Sequence, residues 1–382
     1  MSTSQPIFAG HLASPSSMGS YKPDDAIFLL KDLSSLALER GTEDREEAIQ
    51  SGTHYSEMLP TEYRPSEAYI RLFHESLEAT AKRVAEAVAS VAEQIVAKRG
   101  TAIVLVSLAR AGTPIGVLIK RYIKAYFGVD LAHYSISIIR GKGIDENALK
   151  YILRTHPQAE IQFIDGWTGK GAIRKVLIQA CATFQDKLGM KLNDDLAVLA
   201  DPGSCSATYG TREDFLIPSA CLNATVSGLI SRTVLRDDLI GPDDYHGAKY
   251  YREWEKDDLS NAYIEAIIPY FDEVKEAARA HANRLLAAEG DPVTWQGEQD
   301  IRRIQKDYGI ADINLIKPGV GETTRVLLRR VPWKILVNDP NNPNLAPILH
   351  LARERGVPVE AYPDLTYSCC GIIKPLAKGE SE

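Results

Sequence analysis

The stretch that decides the fold is IQFIDGWTGKGAIRKVLIQA, residues 161–180. A short apolar run at 161–164 stops at Asp165, a loop of small and hydroxylated residues follows, and a helical pattern starts near Ile173. That order of strand, acid, glycine-punctuated loop and helix predicts a βα unit whose loop faces a ligand. Gly166, Gly169 and Gly171 allow close approach of the backbone. The first amides of the helix lack internal partners and lie at its positive end, where an anion binds. Thr168 adds a hydroxyl donor and Asp165 can accept ribose hydroxyls, which outlines a ribose-5-phosphate site. Three commoner glycine motifs do not fit. A Walker A loop needs Ser or Thr where Gly171 stands, and a dinucleotide fingerprint needs glycine at Arg174. A kinase glycine loop would bring companion motifs that the chain lacks. The competing reading is a turn with nothing bound.

The neighbouring segments extend the pattern. Residues 102–107 (AIVLVS) read as a buried strand, and Pro114 stands where the next helix can start. Between them Ala109, Arg110, Ala111 and Gly112 form a tight cationic turn at a strand's carboxyl end. An alternating strand at 133–138 is followed by Arg140, Gly141, Lys142 and Gly143, a mobile loop able to fold over a polyanion. Ligands of open α/β sheets collect at such strand ends. Residues 72–99 predict a long helix with a core stripe of Leu77, Val84, Val88, Val91 and Ile95, stopped by Gly100. A short helical pattern covers 26–40, and 260–289 reads as one helix ending at the linker Gly290-Asp291-Pro292. Two domains follow from this, 1–292 and 293–382. The second holds a helix carrying Arg325, Arg329 and Arg330, strands at 334–337 and near Val359, and a helix at 346–355.

The chain has 382 residues, 45% of them hydrophobic and 25% charged, as in ordinary globular proteins. Its 44 basic and 51 acidic residues leave a net charge of −7, so no global basic character points to nucleic acid. Cys181, Cys205, Cys221, Cys369 and Cys370 show neither metal-site spacing nor a secretory disulfide framework. No apolar run has the length of a membrane span, and the polar start lacks a leader pattern, so a cytoplasmic protein is expected.

These segments together resemble a type I phosphoribosyltransferase of the orotate phosphoribosyltransferase kind. The resemblance implies an α/β fold with a mostly parallel sheet flanked by helices. It implies that Thr168, Gly169, Lys170 and Gly171 hold the 5′-phosphate of phosphoribosyl pyrophosphate. Ala109, Arg110, Ala111 and Gly112 would form the pyrophosphate loop, with Arg140, Lys142 and Asp165 as the catalytic residues. Gly166 stands where the family usually has a second acid. Mg²⁺ would enter with the substrate, with Asp165 a possible contact, and a homo-oligomer is expected. The implied activity transfers ribose-5-phosphate to a base or small metabolite and releases pyrophosphate. Its acceptor would face Ser204, Cys205, Asn223 and Arg232. YKPDDAIFLLKDL, LIPSACLNATVSGLISRTV and DYHGAKYY resemble, more narrowly, a bacterial subgroup tied to tellurite- and stress-resistance gene clusters. That subgroup carries a C-terminal Pelota-like (L7Ae-type) segment, which implies RNA contacts at Arg325 and Arg329. Its relatives also bear a cysteine-protease label.

Two rival readings stand beside transfer. Cys205, set between Gly203 and Ser206 near a strand end, can be the nucleophile of a cysteine hydrolase with His246 as base. Alternatively, the chain binds nucleotide or RNA on a degenerate transferase fold without catalysis.

Overall fold

The computed structural model describes residues 13–41, 53–287 and 293–374. Its centre is a six-stranded, all-parallel sheet. In chain order come β1 (Ile27–Phe28), α1 (Glu67–Arg99), β2 (Ile103–Leu108), α2 (Gly112–Phe127), β3 (His133–Ile136), α3 (Glu146–Thr155) and β4 (Glu160–Trp167). Then follow α4 (Ala172–Leu188), β5 (Leu196–Ala200) and β6 (Thr208–Thr211). The sheet order is β1-β3-β2-β4-β5-β6. The chain moves outward from β2 to β3, then crosses back to β4. A switch point therefore opens between the carboxyl ends of β2 and β4, where a ligand crevice forms in such sheets.

The strands are apolar on both faces because both faces are covered. Along β2, Ile103 and Leu105 pack with α1 and α2, whereas Val104, Val106 and Leu108 pack on the other side with Leu149 of α3 and Leu177 of α4. Helix α1 carries the expected stripe, with Val84, Val88, Val91 and Ile95 fully buried. Two further helices, α5 (Ser260–Ile267) and α6 (Phe271–Ala287), lie against it.

The C-terminal unit begins with α7 (Gln296–Asp307). It continues through β7 (Ile316–Pro318), α8 (Val320–Arg329), β8 (Pro332–Val337), α9 (Ala346–Glu354), β9 (Val359–Ala361) and β10 (Cys369–Ile373). Its sheet order is β7-β10-β8-β9, with β10 antiparallel to both neighbours. Val320 and Leu327 of α8 and Ile335 of β8 join the same core as α1, so the two units share one apolar interior.

Four sequence expectations change. Residues 26–40 form no helix; Ile27 and Phe28 pair with Tyr134 and Ser135, so tertiary pairing overrides the local pattern. Strand β4 does not stop at Asp165: pairing with β5 carries it through Trp167. The helix expected over 260–289 is interrupted at Ile268–Tyr270, where Pro269 removes an amide donor. The loop after β3 is a hairpin: Ile138 and Ile139 pair with Ile144 and Gly143, and Gly141 takes a left-handed φ of 79° in its turn. The expected linker at 290–292 lies outside the described residues. Among the described residues no helix is long and apolar enough to cross a membrane.

Candidate active site

The switch point holds a cleft of about 240 Å³. Strand β4 places Asp165 and Trp167 on its floor, two residues apart and so on the same face. Ala109, Arg110 and Ala111 form one wall, and Ser219, Asn223 and Ser227 another. Arg232 and, from the C-terminal unit, Arg325 complete it. Gly112 lets α2 start directly against β4: a Cβ there would stand 2.6 Å from the Ile164 carbonyl oxygen.

Asp165 Oδ1 accepts the Gly166 amide at 2.7 Å. Desolvation at the cleft floor pushes its carboxyl up to about 7. Arg110 is engaged: it donates to the Ile230 carbonyl at 2.9 Å and lies 3.4 Å from the Glu62 carboxylate. Burial works against Glu62's charge, yet Arg110 and the Ala224 amide hold it below the usual range. Glu62 and its partner therefore brace the turn that follows β2. The hairpin residues expected to close over this cleft do not line it. Arg140 is exposed, with its guanidinium 5.6 Å from the centre of the Tyr55 ring, and Lys142 faces α4 beside Lys175.

The loop after β4 is roofed by the C-terminal unit. Thr168 donates its hydroxyl to Asp201. The Gly169 carbonyl accepts Tyr367 Oη at 3.1 Å, and Lys170 Nζ donates to the Ile313 carbonyl at 3.0 Å. Gly171, with φ of 76°, lies under Trp295, whose ring atom Cζ3 is 2.5 Å from where a Cβ would stand. Ser204, with φ of 53°, presents its carbonyl to the Trp295 amide at 3.0 Å. The Thr168 hydroxyl, the Gly169 carbonyl and the Lys170 amine are thus each engaged within the protein.

Beneath that roof sits Cys205. Its thiol is 3.4 Å from Asp201 Oδ1 and donates to it. Five donors converge on this fully buried carboxylate: the Thr168 hydroxyl, the Cys205 thiol, the amides of Cys205 and Ser206, and Arg212. Burial, then the Asp201 charge, pushes the thiol up to about 12. His246 is not its partner. The imidazole bonds Ser137 Oγ at 2.8 Å, and the His246 amide donates to Asp145 at 2.6 Å. All five cysteines are buried and free, and none bonds an imidazole among the described residues.

Sequence reasoning missed Glu62, Asp201, Asp214, Trp295 and Tyr367. Asp201 carried a signal, because an apolar run followed by Asp-Pro-Gly repeats the strand–acid–glycine pattern of β4. Asp214 joins the units: its carboxylate accepts the Val320 amide at 2.9 Å and the Ser368 amide at 2.8 Å. Arg325 and Arg329, expected to meet RNA, both reach across to the main unit, Arg325 half-buried and Arg329 exposed. Arg325 donates to the Ala220 carbonyl at 3.1 Å and Arg329 to Tyr69 Oη at 2.7 Å.

A family model for the tellurite-like stress resistance cysteine protease StiP matches residues 19–268. The chain belongs to the StiP family. It is 34% identical to the cysteine protease StiP of Acinetobacter baylyi over 373 residues, covering 94% of this chain and 95% of that one. A model of the PELOTA RNA binding domain matches residues 295–375. No solved structure matches. The phosphoribosyl-transfer expectation is thereby corrected, since both the family and the curated relative are cysteine proteases, not transferases. The transferase assignment rested on loops that are common property of α/β crevices. Mg²⁺ was tied to the pyrophosphate substrate and loses its basis with it. Among the described residues no group of three or more His, Cys, Asp or Glu is placed to hold a metal.

Proposed function

We propose that this chain is a cysteine protease acting in tellurite-type stress resistance, with Cys205 as its nucleophile. The observation that carries the reading is the match, over nearly the full length, to a relative named for that activity. Among the five cysteines, Cys205 has the most suitable surroundings. It lies in the loop after β5, at the carboxyl end of the parallel sheet, and its Sγ is 3.4 Å from where a Gly171 Cβ would stand. Gly171 caps the N-terminus of α4, whose partial positive charge favours a thiolate. Arg174 acts in the same direction, against burial and Asp201.

Peptide hydrolysis by this residue runs through a thioester. Asp201, which already accepts the thiol hydrogen, is the group placed to take the proton as Sγ attacks the peptide carbonyl. The C–N bond breaks and the amine leaves with a proton; water then cleaves the thioester, releasing the acid and restoring the thiol. Trp295 and Tyr367 cover the loop, so substrate entry requires movement of that roof. We also infer that the sheet is a type I transferase-like scaffold put to hydrolytic use, a reading supported by ligand-facing loops after β2 and β4. RNA binding by the C-terminal unit is suggested by its family match, and the exposed Arg329 remains open to such a contact.

The test is hydrolysis of an unfolded protein substrate by the full-length chain and two variants. Cys205→Ser should lower turnover by about 100-fold or more, and Cys221→Ser should leave it within about twofold. Undiminished hydrolysis by Cys205→Ser would remove Cys205 from the mechanism, and no hydrolysis by the wild type would remove the protease reading.

A further inference from the structure

Cys205 does not line the cleft at the switch point, so hydrolysis at that thiol leaves its space of about 240 Å³ without an occupant. Floor and walls of the cleft are in contact. A Cβ on Gly166 would stand 3.2 Å from the Ala111 carbonyl oxygen, and the Arg325 guanidinium carbon lies 5.5 Å from the centre of the Trp167 ring. Between them, Asp165 has a single hydrogen bond, from the Gly166 amide to Oδ1 at 2.7 Å. Its Oδ2 accepts none, and no cation stands within ion-pair distance of it among the described residues. Burial of this lone carboxylate raises it to about 7, a cost that a docked ammonium group would remove. The cleft also carries three guanidinium groups, those of Arg110, Arg232 and Arg325. Glu62 lies 3.4 Å from Arg110 and Glu322 lies 2.8 Å from Arg325, so with Asp165 three carboxylates balance them. The site is neutral as a whole but divided, with its negative group on the floor and Arg232 exposed. The Asn223 side-chain amide lies in the wall and makes no hydrogen bond among the described residues. Buried Leu108, Ile138 and Leu222 supply apolar surface.

The geometry points to a binding site for a free α-amino acid with an apolar side chain. Its ammonium group sits on Asp165, its carboxylate faces Arg232 and the Asn223 amide, and its side chain lies among Leu108, Ile138 and Leu222. A neutral but divided site matches a dipolar ligand, because each end of the ligand leaves water for a group of opposite charge. A phosphate monoester matches it less well. Arg110 and Arg325 are each held by a carboxylate already, and Asp165 would repel the added negative charge. The volume lies just below the ~300–1,000 Å³ of drug-sized pockets, which suits one small metabolite. Arg325 comes from the C-terminal unit, so both units build the site.

The probe is L-leucine, titrated calorimetrically into the full-length chain at pH 8, where Asp165 has lost its proton. N-acetyl-leucine, which lacks the ammonium group, and leucinamide, which lacks the carboxylate, are titrated beside it. Leucine should bind at least about tenfold more tightly than either capped form. Asp165→Asn should erase the advantage over N-acetyl-leucine, and Arg232→Gln the advantage over leucinamide. Arg232 is exposed, so its replacement leaves the core intact. No leucine binding by the folded wild type, equal affinity for the capped forms, or leucine affinity unchanged in Asp165→Asn overturns the site. So does tighter binding of adenosine monophosphate than of leucine, which would make the cleft a nucleotide site. Leucine binding by a chain that cleaves no protein substrate keeps the site and removes the protease. Cleavage without leucine binding does the reverse.

Discussion

Replacing Asp165 by Asn should stabilise the protein, and only above acidic pH. Desolvation raises this carboxyl from 3.8 to about 7. The native group keeps its proton at pH values where the unfolded one has lost it. Stability therefore falls as pH rises from about 4 to about 7, and the loss is complete above that. About three pH units at ~1.36 kcal/mol each set a ceiling of ~4 kcal/mol. Water in the open cleft screens part of this, leaving about 1–2 kcal/mol. Asn keeps an Oδ1 acceptor for the Gly166 amide and cannot ionise, so the loss disappears in the variant. At ~2.1 cal/mol/K per residue, a chain of this length unfolds with about 0.8 kcal/mol/K, so the gain reads as about 1–3 °C in Tm at pH 8. Differential scanning fluorimetry at pH 4.5 and pH 8 measures it. An equal shift at both pH values, or a lower Tm for the variant at pH 8, would refute the reasoning.

Two further outcomes follow from the contacts between the units. Asp214→Ala leaves the buried Val320 and Ser368 amides without acceptors and should cost about 2–4 kcal/mol, read as a Tm fall of several degrees; an unchanged Tm would show that water replaces the carboxylate. Trp295→Ala removes the ring over Gly171, so Cys205 should react with a small disulfide reagent about tenfold faster or more, and an unchanged rate would show that the roof is not what protects the thiol.

Much of the scaffold was legible before any contact was known. Apolar runs at β2, β4 and β5 are continuous because these strands are buried on both faces, and α1 shows its stripe because only one side meets the sheet. The site was legible in part. Asp165, Ala109, Arg110 and Ala111 share one cleft because each lies at the carboxyl end of a parallel strand, a relation that chain order alone carries. The chemistry was misread because glycine loops at strand ends look alike whatever they hold. What distinguishes this loop is its roof of Trp295, Tyr367 and Ile313, more than 100 residues away in the chain.

The amino-acid sequence by itself determined the βα order and the residues at the strand ends, both of which depend on local pattern and spacing. Only the tertiary structure decided which charges remain unpaired. Arg110 is engaged by Glu62, Glu322 by Arg325 and Asp201 by its five donors, whereas the Lys317 amine makes no hydrogen bond or ion pair among the described residues. Pairing of this kind is set by distances between segments remote in the chain, because Coulomb and hydrogen-bond energies depend on separation and burial and not on order along the backbone.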